Sequence, residues 1–190
     1  MHAQPPAAAL PSAQDAQLQL QALRDRLRLA LEARSPGDYS FTLRTADGVD
    51  FLLTEKELVM SKVLADMRED MPGERLIKIG NVTAPAMGAV QEYCRHHSAA
   101  LGLGLTKEEM APWDAAFVEM DSQASLFIIL LAASYLDIEE LLVLMCNKVG
   151  SLVDGKDLQQ VRTALHIKEV FTKEQEDEIQ AELEAWENVR

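Results

Sequence analysis

The sequence predicts an α+β fold. Three short extended runs lie between Tyr39 and Gly80 with helical segments among them, and everything beyond Pro112 reads as helix. At 190 residues, 48% of them hydrophobic, the chain has the length of one compact domain plus an appendage and ample apolar content for a core.

Residues 1–14, with Pro5, Pro6, Pro11 and a run of alanines, form a low-complexity segment expected to be disordered. From Asp15 to Arg34, Leu20, Leu23, Leu27 and Leu31 recur at helical spacing with Arg24, Arg26, Arg28 and Glu32 between them. The spacing predicts one amphipathic helix of roughly 20 residues, about 30 Å long. Ser35-Pro36-Gly37-Asp38 ends it. Two readings stay open: a helix that docks or dimerises, or one that packs on or frays from its own domain.

The body begins at Tyr39. Ser40–Arg44 and Val49–Leu53 are extended runs joined through Asp47-Gly48, a hairpin turn signal. Thr54 and Glu57 have capping-box spacing for a helix whose apolar face holds Leu58, Val59, Val63, Leu64 and Met67, and Pro72-Gly73 breaks it. Leu76–Ile79 is a third strand. Asn81-Val82-Thr83 turns into a helix from Pro85 to His97, with proline in the first turn. Residues 98–112, rich in Ala, Gly and Leu, read as a loop. Asp121 or Ser122 starts a helix to Tyr135, and Asp137 opens the next, to Val153. Asp154-Gly155 terminates that one. A short helix then reaches Leu165, and Thr172 caps a final acidic helix to Glu187.

Composition excludes several functions. A net charge of −13 repels phosphate, so no nucleic-acid partner is expected. The longest apolar run, Leu126–Leu136, falls short of the roughly 18 residues of a membrane span. The first 23 residues carry no Lys or Arg, so no signal peptide is read, and a cytoplasmic or nuclear location is expected. Cys94 and Cys146 are too few for a disulfide scaffold and read as buried thiols in a reducing compartment. Cys94-x-His96-His97 lacks the second ligand pair that structural zinc needs; the expected reading is a helix C-terminus, where His meets the helix dipole favourably. No phosphate loop, dinucleotide fingerprint or nucleophile elbow occurs, so neither catalytic residue, metal nor cofactor is assigned.

From Phe41 onward the chain resembles the S-phase-kinase-associated adaptor family, the F-box-binding subunits of cullin-based SCF ubiquitin ligases. The matching motifs run in order over roughly 150 residues, a span set by the residues named here. They are Thr45-Ala-Asp-Gly, Asn81-Val82, Tyr93-Cys94-x-His96-His97, Trp113-Asp114-x-x-Phe117 with Asp121, and Leu126-Phe127. Ala132-Ala133-Ser134-Tyr135-Leu136-Asp137-Ile138, Gly155-Lys156, Arg162, Ile167-Lys168, Phe171-Thr172 and Trp186 follow.

The resemblance implies a BTB/POZ-type fold with additional C-terminal helices and no enzyme activity. Residues 1–38 are then an extension, 39–112 and 113–136 the BTB/POZ part, and 137–190 the F-box-binding helices. It implies two partners, an F-box protein and a cullin, and self-association when no F-box covers the apolar surface. A structural adaptor in a non-ligase assembly, of kinetochore or chromosome-axis type, is the competing role. Ser134 and Tyr135 fall on the cullin-facing patch. Leu141, Val149, Val153, Leu165, Ile167, Phe171, Ile179, Leu183 and Trp186 fall on the F-box side. Ile179, Leu183 and Trp186 follow one another at i, i+4 and i+7, a helix-in-groove pattern that ordinary core packing also produces.

Five departures mark the chain: Ser134, the 98–112 segment, a Ser122–Ser125 stretch one residue longer than usual, Leu158 where relatives often have proline, and the N-terminal extension. Ser134 stands where the family usually has asparagine, and a hydroxyl lacks the amide's paired donor and acceptor. One lost interface hydrogen bond is worth on the order of 1 kcal/mol, so cullin binding is expected to be weakened or altered. The 98–112 segment is apolar where relatives are acidic, and the N-terminal extension is atypical.

Overall fold

The computed structural model describes residues 13–32, 39–119, 122–167 and 172–187. The segments 1–12, 33–38, 120–121, 168–171 and 188–190 lie outside the described residues; of the segment 1–14 expected to be disordered, Ala13 and Gln14 instead begin the first helix. The chain divides into two compact units, Met1–Cys146 and Asn147–Arg190.

The first unit holds a three-stranded sheet of order β2-β1-β3. β1 (Tyr39–Arg44) and β2 (Asp50–Thr54) form the expected antiparallel hairpin, and β3 (Leu76–Lys78) joins β1 in parallel. Leu43, Leu53 and Ile77 point into the core and are at most 2% exposed. Alternation turns Thr42 and Arg44 the other way, and Arg44 donates from Nε and Nη2 to both carboxylate oxygens of Asp50 at 2.6 and 2.7 Å. Gly48, at φ +81°, supplies the left-handed turn residue of the hairpin.

Asp47 does more than turn the chain. Its carboxylate accepts from Thr45 Oγ1 and from the backbone N–H of Ala84, the first residue of α4 (Ala84–Gly102). The N-cap residue Thr83 makes no side-chain cap bond, so the hairpin caps α4 from a distance. The Thr45 hydroxyl first and the Ala84 N–H second hold the Asp47 carboxyl below the usual carboxylate range.

Thr54 and Glu57 form the predicted capping box. The helix they open is short, however. α2 spans Glu55–Leu58, and a separate α3, Lys62–Asp70, starts at a second cap, Ser61. The expected single apolar face is therefore broken: Leu58 and Leu64 are core residues, but Val59 is 51% exposed at the junction.

Two further expectations are corrected. α4 does not end at His97 but runs five residues on, because Ser98, Ala99 and Ala100 carry no helix stop and Ala100 is fully buried. Residues 98–112 are not a loop, since α5 (Lys107–Phe117) starts inside them behind a Thr106–Glu109 capping box. Pro112 sits within α5. The burial of Met110 and the stacking of Trp113 outweigh the local cost of that proline.

α4 is the central helix, in contact with α2, α5, β2, α6 (Gln123–Tyr135) and the N-terminal α1 (Ala13–Glu32). Of the two readings of α1, the structure shows the one in which it packs on its own domain. α7 (Glu139–Val153) begins after Asp137, whose φ of +50° makes it a turn residue and not the helix cap. Leu141 and Met145 form its buried stripe with Ile138 just before it, while Cys146 faces outward, so only Cys94 is the expected buried thiol.

The second unit holds the end of α7, α8 (Leu158–Ala164) and α9 (Lys173–Glu187). Gly155, at φ +66°, ends α7 as expected, and Asp157 with Gln160 makes the capping box of α8. Thr172 Oγ1 accepts from Gln175 N–H at the start of α9. Among the described residues no helix is long and apolar enough to cross a membrane.

Candidate functional site

α6 presents the clearest interaction surface. Its sequence is apolar all round from Leu126 to Ala133, whereas a surface helix ordinarily carries polar residues on its outer face. One face is core: Leu126, Ile129, Ala132 and Ala133 are at most 4% exposed. The opposite face shows Ile128, Leu131 and Tyr135 to solvent at i, i+3 and i+7, with Leu131 65% exposed. Ser134 is exposed beside Tyr135. The stripe makes α6 a candidate for contact with another protein.

Both ends of α6 are fixed. Ser122 Oγ accepts from Ser125 N–H at 3.1 Å, the N-cap. At the other end Ser61, itself 1% exposed, acts twice. Its Oγ accepts from Leu64 N–H as the cap of α3 and donates to the Leu136 carbonyl at the close of α6. Lys62 N–H donates to the Asp137 carbonyl one residue on. The start of α3 thus clamps the end of α6 where Ser134 and Tyr135 stand.

The Cys94-x-His96-His97 cluster is mortar between α4 and α5, in the interior of a helix and not at its C-terminus. His97 Nε2 and Asp114 Oδ1 are 2.7 Å apart, and the His97 ring stacks on Tyr93 at 4.0 Å. His96 stacks on Trp113 at 3.7 Å and 7°, and Trp113 on Phe117 at 5.0 Å. Burial first, and the neighbouring His97 second, lower the His96 pKa to about 4, so the ring is neutral at physiological pH. Its Nδ1 is buried without a hydrogen-bond partner. Burial pushes the Cys94 thiol up to about 12, which leaves it unreactive. Among the described residues no group of three His, Cys, Asp or Glu side chains could hold a metal ion.

The nine residues expected on the F-box side fare unequally. Leu141 is fully buried in the first unit, in register with Ile138 and Met145, so it is a core residue and not a surface one. Val149, Val153, Leu165 and Ile179 are half-buried, and Ile167 is 49% exposed after α8. Leu183 and Trp186 lie within α9, and Phe171 lies outside the described residues. Sequence reasoning missed Ile128, Leu131 and Ser61. The first two were legible as apolar residues on the far face of an already apolar helix; Ser61 had only a Ser-x-x-Leu pattern and no local sign of its distant acceptor.

Residues 39–99 match the tetramerisation domain of the Skp1 family, and residues 139–186 match its dimerisation domain. The chain is similar to SKP1-like protein 1A of Arabidopsis thaliana, at 35% identity over 148 residues, 74% of this chain and 92% of the relative. It is similar to SKP1-like protein 1 of rice, Oryza sativa subsp. japonica, at 34% over 158 residues, 74% and 91% of the two chains. E3 ubiquitin ligase complex SCF subunit sconC of Neosartorya fischeri is 34% identical over 151 residues, 75% and 95%.

Proposed function

The chain belongs to the Skp1 family, and we propose that it is a non-enzymatic adaptor subunit of an SCF-type ubiquitin ligase, bridging an F-box substrate receptor to a cullin. The observation that carries the reading is the similarity over nearly the whole of a protein named as an SCF subunit. The exposed stripe of Ile128, Leu131 and Tyr135 supports α6 as the cullin side. The second unit, with its half-buried Val149, Val153 and Leu165, supports the F-box side. A cytoplasmic or nuclear location, and self-association in the absence of an F-box, belong to the same reading.

Ser134 favours a second reading, an adaptor for F-box-like partners in an assembly without cullin. Titration calorimetry with a cullin N-terminal region separates the two. Ser134→Asn is expected to tighten cullin binding about fivefold, the worth of roughly 1 kcal/mol of hydrogen bonding, with F-box affinity unchanged. No measurable cullin binding by either protein would leave the second reading in place.

On the other side, Trp186→Ala is expected to weaken F-box binding by about 2 kcal/mol, near thirtyfold, as for an aromatic hot spot. An unchanged affinity with an intact circular dichroism spectrum would remove Trp186, and with it the end of α9, from the F-box surface.

A further inference from the structure

The helix α1 stands apart from the rest of the fold. The family match begins at residue 39, and about three quarters of this chain already spans nine-tenths of its relatives. α1 is therefore an addition, and it lies against α4.

Among the described side chains of α1 the seating is incomplete. Leu27, Ala30 and Leu31 are only half-buried, and Leu29 is 59% exposed. A helix that belongs to the core drives its apolar side chains close to zero exposure, as α4 does with Met87 and Val90. A cleft of about 460 Å³ is lined by Leu31 of α1, by Gly88, Gln91, Glu92, Arg95 and His96 of α4, and by Trp113 of α5. The Trp113 side of the cleft is held without α1. The Trp113 ring is held by its stacks on His96 and Phe117, and the His97–Asp114 bond ties α5 to α4. Gln91 is held from the sheet side, where its amide donates to the Leu52 carbonyl.

We propose that the outer face of α4, with Trp113 in its lining, is a helix-docking groove, and that α1 occupies it in cis as a detachable strap. The chemistry that fits is an amphipathic helix that brings a leucine to the cleft, as α1 does with Leu31, with Leu27 one turn before it on the same face. Tethering makes partial seating sufficient, since a short link gives an effective concentration on the order of millimolar. Any other helix of that kind would have to displace α1.

Trp113 reports on the groove directly. The chain has two tryptophans, so a Trp186→Phe background excited at the red edge of tryptophan absorption leaves Trp113 as the sole tryptophan emitter. Deletion of residues 1–36 should red-shift its emission while thermal unfolding stays cooperative with a nearly unchanged midpoint. A peptide of residues 13–34 should reverse the shift saturably. It should bind the full chain at least about tenfold more weakly, because the tethered copy competes. Leu27→Asp combined with Leu31→Asp in the full chain should reproduce the shift. A collapsed midpoint on deletion would make α1 part of the core. Unmoved emission, or a peptide that does not bind, would remove the groove. A full-chain dimer that deletion dissolves would place α1 on a second copy. Each of these results overturns the proposal.

Discussion

Replacement of Ser61 by alanine is expected to lower the stability of the fold by about 3 kcal/mol, a large share of the 5–15 kcal/mol typical of a domain. Two losses combine. The N-cap of α3 disappears, at about 1 kcal/mol, because Leu64 N–H loses its side-chain acceptor. The Leu136 carbonyl loses the hydroxyl donor that Ser61 brings to it from 75 residues away in a buried setting, at roughly 1–3 kcal/mol. Urea unfolding should show the midpoint fall with an unchanged slope. The variant should also bind cullin more weakly than its F-box affinity would suggest, since the clamp it breaks sets the end of α6. A loss under about 1 kcal/mol would mean that α6 is held by its buried face alone.

The second large effect is acid sensitivity through His96. Its pKa is about 4 in the fold, against an ordinary value of 6.5, because burial and the adjacent His97 oppose the charged ring. The unfolded chain therefore binds the proton more readily. The full stabilisation is present above pH 6.5. It is lost as pH falls from 6.5 through 4, up to roughly 3 kcal/mol in total. Asp47 and Asp50, whose carboxyls are held below their ordinary range, also cost stability in acid, so the comparison must be between proteins. His96→Phe keeps a ring against Trp113 and removes both the titrating group and the unpartnered Nδ1. The stability difference between the two proteins should be constant above pH 6.5 and shift in favour of the variant toward pH 4. Parallel curves would show that His96 takes no part.

What the sequence made legible was local. Asp47-Gly48 announced the hairpin, Thr54 with Glu57 a capping box, and Thr172 the start of α9, because each signal and its partner lie within a few residues. Thr106 and Glu109 carry the same capping signal, yet Gly102, Gly104 and Pro112 around them read as loop residues and hid α5. Val59 and Leu58 look alike in sequence, and only the second cap at Ser61 turns one outward and the other inward. Leu141 likewise fits a docking face and a core stripe equally well until Ile138 and Met145 are seen buried with it.

Several contacts that hold the elements together were not legible, because they join distant residues. Asp47 caps α4 across 37 residues, and His97 meets Asp114 across 17. No periodicity marks such pairs. The α6 stripe was hidden for a different reason: an all-apolar helix reads as buried throughout, and only the packing of Leu126, Ile129 and Ala133 against α4 decides which side is left bare. Family resemblance pointed to Tyr135, and Ile128 and Leu131 are exposed on the same face of α6.

The measurement that tests the adaptor role most directly is reconstitution. The full chain would be mixed with a cullin N-terminal region and with the F-box segment of a receptor captured alongside it from its native cells. The mixture would then be resolved by size-exclusion chromatography with light scattering. The expected result is a single 1:1:1 species whose cullin dissociates on Tyr135→Ala while the F-box stays bound. A binary complex with the F-box alone, and cullin eluting free, would contradict the adaptor role.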